Sequence, residues 1–296
     1  MMNVDKFTDI VARFLAMSGK ILPDDVTEKL AQLNAEESQP LAKTVYESMF
    51  ENQRLAAELD RPSCQDTGVI NFFVSAGDGF PDLGKIAGAL KEAVRKATVD
   101  APLRHNTVAI FDEKNDGTNV GERAPFIHWD IVPDSDKLKV ETYMAGGGCS
   151  LPGRAITLMP SAGYEGIVQY VFDTMVDWGI NACPPLLVGI GIAGSVENAS
   201  ILSKKAILRP LGTHNPNPKG AAMERLIEDG LNKIGLGPQG LTGSASVMGV
   251  HIESAARHPS TISVGINVAC WAHRHGTIVF DKDLNYEILT HKGVTL

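Results

Sequence analysis

Apolar positions recur every three or four residues through the first sixty: Phe7, Ile10, Val11, Phe14 and Leu15, then Val26, Leu30 and Leu33, then Leu41, Val45 and Met49. That spacing puts each set on one face of an α-helix and predicts a helical N-terminal region. Pro23-Asp24-Asp25 supplies a start for one of the helices. The period then changes. The run Val69 to Val74 predicts a strand, and Ile86, Leu90, Ala93 and Val94 predict a helix over Leu83 to Ala97. Two alternating segments follow, with Ile127, Trp129 and Ile131 opposite His128 and Asp130, then Leu138, Val140 and Thr142 opposite Lys139, Glu141 and Tyr143. Alternation of this kind predicts half-exposed antiparallel strands.

After the break at Gly146-Gly147-Gly148, the pattern predicts a helix from Tyr164 to Trp178, a buried strand from Leu186 to Ile190, and helices over Val196 to Ala206 and Ala221 to Ile234. Pro210, Pro216 and Pro218 separate the last two. Ala245 to Ser254 and Ile262 to Cys270 alternate again and predict strand pairing late in the fold, with Ile262, Val264, Ile266 and Val268 on one face. The fold class expected is mixed α/β, a helical N-terminal region with a mixed sheet packed against helices. No internal repeat or flexible linker divides the chain, so residues 1–296 read as one domain, or as two closely packed lobes divided near residue 150.

Charge narrows the partners. With 27 basic and 35 acidic residues the net charge is −8, and no Lys/Arg cluster offsets it locally, which argues against nucleic acid and acidic membranes. No apolar run reaches the roughly eighteen residues of a membrane span, and the start MMNVDKFTDIVARF lacks the basic and apolar regions of a secretion signal. A cytoplasmic address is expected. Cys64, Cys149, Cys183 and Cys270 lie far apart, which favours reduced thiols or metal ligands over disulfides.

The local motifs are few. Gly189-Ile190-Gly191-Ile192-Ala193-Gly194 matches GxGxxG between an apolar strand and a helix, the setting of a dinucleotide site. No acidic residue stands near twenty positions further on, where Arg209-Pro210 lies, so glycines serving a tight strand-to-helix turn are the simpler explanation. CxxC, HExxH, Walker and GxSxG motifs are missing. His273 and His275 could ligate a metal, but with Arg274 between them they read as solvated or hydrogen-bonded surface histidines. Cys64 precedes Gln65-Asp66-Thr67-Gly68, Cys183 precedes Pro184-Pro185, and Cys270 ends an alternating strand, so each thiol sits at a loop or strand end. Taken singly, each reads as a buried inert thiol.

Taken together they read differently. RPSCQDTG (61–68), APLRHN (101–106), YMAGGGCSLPGR (143–154), NACPPLLVGIGIAGS (181–195), GPQGLTGSASVMGVHIESAARHPSTI (237–262) and CWAHR (270–274) resemble the α subunits of class I fumarases and L(+)-tartrate dehydratases. The likeness covers nearly the whole chain. It implies a 4Fe-4S cluster held by Cys64, Cys183 and Cys270, with Cys149 a spare packed thiol. It also implies that Gln65 and Asp66 contact the substrate or the iron-bound water, that Arg104 grips a carboxylate, that the Gly147 amide faces the ligand, and that His258 lies near the reacting hydroxyl, with Asp66 and His258 as catalytic residues and the decisive proton moved by Asp66 or by a residue of a β subunit.

Three thiolates leave one iron open to act as a Lewis acid on a 2-hydroxy acid. The resemblance therefore implies elimination of water from a hydroxy-dicarboxylate, tartrate to oxaloacetate first and fumarate/malate interconversion second. It further implies a separate β subunit that completes the site, in an α2β2 assembly, and a chain inactive alone. Residue by residue, plainer readings stand beside these: Asp66 as a turn cap, Arg104 paired with a surface acid, His258 as a loop hydrogen-bonder. Two rival functions remain, a dinucleotide-binding module on residues 189–194 and a zinc-holding structural subunit that uses the same cysteines.

Overall fold

The N-terminal periodicity forms three helices, α1 (Val4–Lys20), α2 (Asp24–Glu36) and α3 (Pro40–Glu58), in a computed structural model that describes residues 1–296. Asn3 caps α1 by accepting from the Lys6 amide at 3.0 Å, and α2 begins at Asp24, behind Pro23. The elements that follow are β1 (Val69–Gly77), α4 (Leu83–Asp100), β2 (Phe126–Val132), β3 (Leu138–Ala145), the one-turn α5 (Gly147–Ser150), β4 (Arg154–Leu158), α6 (Gly163–Trp178), β5 (Leu186–Ala193), α7 (Val196–Ala206), α8 (Pro218–Asn232), β6 (Val247–Ser254), β7 (Ile262–Ala269), β8 (His275–Phe280) and β9 (Tyr286–Ile288). The fold is mixed α/β. Contacts gather into two units: Met1–Asp24 with Glu51–Gly146 and Arg274–Leu296, and Asp25–Phe50 with Gly147–His273.

The first unit holds a five-stranded sheet in the order β2-β1-β3-β8-β9. Helices α1 and α4 bury their apolar stripes with it, Phe7, Phe14, Leu15, Ile86, Leu90 and Val94 joining Phe72, Val74, Val140, Ile278 and Phe280. β2 and β3 are strands, yet they do not pair with each other: β1 lies between them, parallel to β2 and antiparallel to β3. The connection between them crosses the end of β1, where Gly77 N–H donates to Lys137 O (2.8 Å) and Gly79 N–H to Ser135 O (2.9 Å). Alternation reports which face a residue takes and carries no information about the neighbouring strand. β3 is accordingly central and largely buried, and only β2 matches the half-exposed expectation.

The second unit holds a four-stranded sheet, β4-β7-β5-β6, with β5 parallel to β6 and antiparallel to β7. β6 and β7 are thus separated by β5, again a partner that alternation did not specify. Val188, Ile190, Val250, Ile252, Ile262, Val264, Ile266 and Val268 form one face and pack with Ile167, Val171 and Met175 of α6 and Ile227 and Leu231 of α8. The other face carries Gly189, Gly191 and Gly265 and receives α7.

β6 is an edge strand, and its open side is covered by side chains. Buried Glu224 of α8 accepts from the Ile252 amide (2.7 Å), the Asn215 amide (2.8 Å) and the Arg209 guanidinium, while Asn215 Nδ2 donates to Ile252 O at 2.6 Å. These bonds satisfy strand groups that would otherwise template another chain. On the preceding residue, His251 is buried, and its Nδ1–H donates to Ala206 O (3.1 Å) at the end of α7. Burial and then the nearby Arg209 charge push its pKa down to about 4. A histidine depressed in the folded state favours unfolding once the unfolded chain takes up the proton, so stability falls as pH drops from about 6.5 towards 4. Equilibrium denaturation should show about 2 kcal/mol lost through this group between pH 7 and pH 5. His251→Asn should flatten that slope, and an equal slope in the variant would exclude His251 as its source.

Candidate active site

In the first unit, the loop between α3 and β1 carries Cys64, Gln65 and Asp66. Cys64 and Asp66 are half-buried and Gln65 is exposed. The loop is tied down on both sides. Ser63 N–H donates to Gly19 O (3.0 Å), and Asp66 Oδ1 accepts from the Gly68 amide (3.1 Å) and from Asn106 Nδ2 (3.2 Å). Thr67 Oγ1 accepts from the Arg104 amide at 2.9 Å, and Asn119, which donates to Arg104 O, accepts from the Asn106 amide. The Asp66 and Arg104 segments, which are far apart in sequence, are therefore held side by side. The Arg104 guanidinium is exposed and forms no ion pair within the chain, so pairing with a surface acid does not account for it. The Asp66–Gly68 turn realises the capping role, but the second bond to Asn106 fixes the carboxylate beyond what a turn requires.

Arg274 was missed in the sequence, where it figured only as a spacer between histidines. It is 1% exposed, and its Nη2 donates to the Asp66 carbonyl at 2.7 Å, bracing the same loop from the far end of the chain. Burying a guanidinium is costly unless it is fully hydrogen-bonded, so its presence marks a loop whose position matters. His273 and His275 are each 1% exposed, which overturns their reading as surface histidines. His273 Nε2–H donates to Ile207 O at 2.8 Å. The sequence signal available for all three was the apolar run Thr277–Phe280 directly after them, which marks a buried strand.

In the second unit, antiparallel pairing of β5 with β7 sets Leu187 opposite Ala269, which brings the start of β5 and the end of β7 to one end of the sheet. Cys183 and Cys270 lie just beyond those ends. Trp271 N–H donates to Cys183 O at 3.2 Å, joining the two segments directly. Cys183 is exposed, Cys270 is buried, and Cys183 adopts φ 57°, ψ 74°, a left-handed conformation uncommon outside glycine. α5, with Gly147 exposed and Cys149 buried, packs at this same end: a Cβ on Gly148 would come within 2.7 Å of Asn181 O in the turn leading to Cys183. The second unit thus gathers Gly147, Cys149, Cys183 and Cys270, and the first unit gathers Cys64, Gln65, Asp66 and Arg104. Neither unit alone brings three His, Cys, Asp or Glu side chains to metal-holding spacing.

His258 lies elsewhere. Its loop joins β6 to β7 at the opposite end of this sheet, beside Gly194, roughly 23 Å from the thiol end at about 3.3 Å per residue along β7. It is exposed, and its Nδ1 accepts from the Ser260 amide at 3.1 Å, which leaves the ring proton on Nε2. A groove of about 1150 Å³ between α6 and α8, lined by Tyr164, Phe172, Met223, Leu226 and Arg257, borders this loop and contains none of the cysteines.

The GxGxxG glycines have a packing explanation different from a tight turn. Gly189 and Gly191 lie inside β5, and a Cβ there would come within 2.2 Å of Ser203 O and 1.9 Å of Ala199 O, respectively. The strand needs glycine because the α7 backbone rests on it.

The fold is thus a mixed α/β chain with Cys64, Asp66 and Arg104 on neighbouring segments of the first unit and Cys149, Cys183 and Cys270 at one sheet end of the second. The family model described as fumarate hydratase (Fumerase) matches residues 8–279, so the chain belongs to the fumarate hydratase family. It is 57% identical over 97% of its length to the L(+)-tartrate dehydratase subunit alpha of Escherichia coli (strain K12), covering 95% of that protein. A Shigella boydii serotype 4 protein of the same description matches to the same extent. A Methanocaldococcus jannaschii protein described as a putative L(+)-tartrate dehydratase subunit alpha is 35% identical over 91% of this chain and 95% of its own. No helix is long and apolar enough to cross a membrane.

Gly191→Ala should lower stability by about 3 kcal/mol through overpacking, read as a shifted denaturation midpoint. Nicotinamide nucleotide should leave the Tm of the unaltered chain in place; a rise in Tm would restore the dinucleotide reading.

Proposed function

We propose that the chain is the α subunit of an iron–sulfur hydro-lyase that dehydrates L(+)-tartrate to oxaloacetate, with fumarate/malate interconversion as the second reading. The observation that carries it is the meeting of the Cys183 and Cys270 segments through the Trp271–Cys183 hydrogen bond. The names of the bacterial and archaeal relatives favour tartrate, and the family description keeps the fumarase reading in play.

In this reading residues 1–296 act as one catalytic domain in which Cys64, Cys183 and Cys270 hold a 4Fe-4S cluster. The donor set suits the group: all three are thiols at loop or strand ends, and no disulfide occupies them, which also fits a reducing, cytoplasmic compartment. When bound, a cluster with three thiolate ligands supplies an iron with open positions, a Lewis acid for the hydroxyl of a 2-hydroxy acid.

The chain's own residues supply the rest. Arg104 presents a planar fork that meets one carboxylate bidentately. Asp66, with Oδ1 oriented by the Gly68 amide and Asn106, and a residue of the β subunit are the two candidates for the proton exchange, and exposed Gln65 donates to a substrate oxygen. The Gly147 amide faces a second oxygen. His258, at the far end of its own sheet, can present its Nε2–H near a reacting hydroxyl only from another chain. A separate β subunit in an α2β2 assembly completes the site.

Anaerobically purified protein, co-expressed with its β-type partner, should contain about four irons and four acid-labile sulfides per α chain. Cys64→Ser, Cys183→Ser and Cys270→Ser should each abolish cluster retention and Cys149→Ser should not. An intact cluster in any of the first three would refute the ligand assignment, and zinc without sulfide in the unaltered protein would favour the structural rival. Arg104→Ala should raise KM for tartrate roughly 10- to 100-fold by removing a charged hydrogen bond. Unchanged KM and kcat in steady-state assays would remove Arg104 from the site.

A further inference from the structure

The two sheets treat their edges differently. The β6 edge is covered by Glu224, Asn215 and Arg209, as described above, whereas β2 forms an edge of the other sheet with Phe126, Trp129, Ile131 and Val132 each at least 39% exposed. An exposed apolar edge strand pairs with another chain unless something blunts it, and between Phe126 and Val132 there is neither lysine nor proline. The sequence of this strand is close to a palindrome in chemical class. About Trp129, Asp130 mirrors His128, Ile131 mirrors Ile127, Val132 mirrors Phe126, and Pro133 mirrors Pro125.

We propose that β2 is a self-pairing surface, on which a second copy of this chain adds its own β2 antiparallel about a two-fold axis at Trp129. Backbone directions permit this register. Asp78 N–H donates to Val132 O, so Val132 and, by alternation, Asp130, His128 and Phe126 direct their backbone groups towards β1. Ile127, Trp129 and Ile131 then direct theirs outward, and these three are the residues that face Ile131, Trp129 and Ile127 of the second copy. Each pair can exchange two backbone hydrogen bonds. On one face the contact is Ile, Trp, Ile against Ile, Trp, Ile. On the other, the same register sets His128 opposite Asp130 of the second copy and Asp130 opposite its His128. The flanking prolines lack N–H groups and limit the ladder to the seven strand residues. Such an isologous contact is self-completing and generates a closed dimer. It assigns a surface to like-chain pairing in the proposed α2β2 assembly, rests on that reading for stoichiometry alone, and is tested without reference to activity.

The experiment is cysteine cross-linking of the full chain under mild oxidation, read on denaturing gels. A hydrogen-bonded antiparallel pair holds its Cα atoms about 5.5 Å apart, within disulfide reach. Trp129→Cys should therefore yield a cross-linked dimer, while the unaltered chain and Ile110→Cys, more exposed but off the strand, should not. Ile127→Cys mixed with Ile131→Cys should cross-link, and each alone should not. Adding Ile131→Lys to Trp129→Cys should abolish the product. Failure of both Trp129→Cys and the mixture to cross-link, with circular dichroism showing folded variants, would overturn the proposal and leave the edge to a different chain. Iron content and tartrate turnover are read separately, so failure here leaves the hydro-lyase reading unaffected.

Discussion

The second unit depends on how closely the α7 backbone approaches β5 and β7. At Gly189, Gly191 and Gly265 the space that a side chain would take is filled by helix carbonyls and amides, so helix and sheet are in backbone contact. Asn267, on the same face of β7, extends this contact by donating to Ser203 Oγ at 2.7 Å. Contact of this kind is short-ranged and steep, which fixes the β5–β7 register more sharply than methyl packing alone would. The register in turn decides where Cys183 and Cys270 emerge. A slip of one residue would turn every Val and Ile of the opposite face out of the α6–α8 core, so one constraint governs both the core and the thiols.

The first unit achieves the same positioning by polar means. The loop bearing Cys64 and Asp66 takes its shape from Asn106 and Arg274, which bond the Asp66 carboxylate and carbonyl, and from its own Thr67, which accepts from the Arg104 amide in a segment that Asn119 holds in place. Buried polar groups of this kind specify one arrangement because every alternative leaves a donor or acceptor unpaired. Loop rigidity is thereby assigned to residues outside the reacting set.

The sequence revealed most of this unevenly. Helices α1 to α4 and α6 to α8 were legible because their apolar residues repeat over three or more turns; β2, β3, β6 and β7 were legible by alternation and β1 and β5 as apolar runs, while the short strands β4, β8 and β9 were not read. Their neighbours were not, because β1 between β2 and β3, and β5 between β6 and β7, are consequences of connections that cross strand ends. The cysteines and Arg104 were singled out only through long matched blocks of sequence, since each residue alone had an adequate mundane explanation. Arg274 and Asn106 sat inside those blocks and were overlooked, because a bracing role depends on which carbonyl or carboxylate lies opposite and no local spacing encodes that. The glycines of β5 were recognised as structural, but for the wrong contact.

The order in which the chain visits its two units has a consequence for synthesis. The sheet of the first unit takes β1, β2 and β3 from residues 69–145, but the strand that completes the other side of β3 is β8, at residues 275–280. Arg274, which braces the Cys64 loop, arrives at the same late point. Until residues 274–280 have left the ribosome, β3 is an open edge and the loop lacks its buttress. The segment before residue 146 therefore cannot complete its own sheet, and it must be shielded from association throughout the synthesis of the second unit that intervenes.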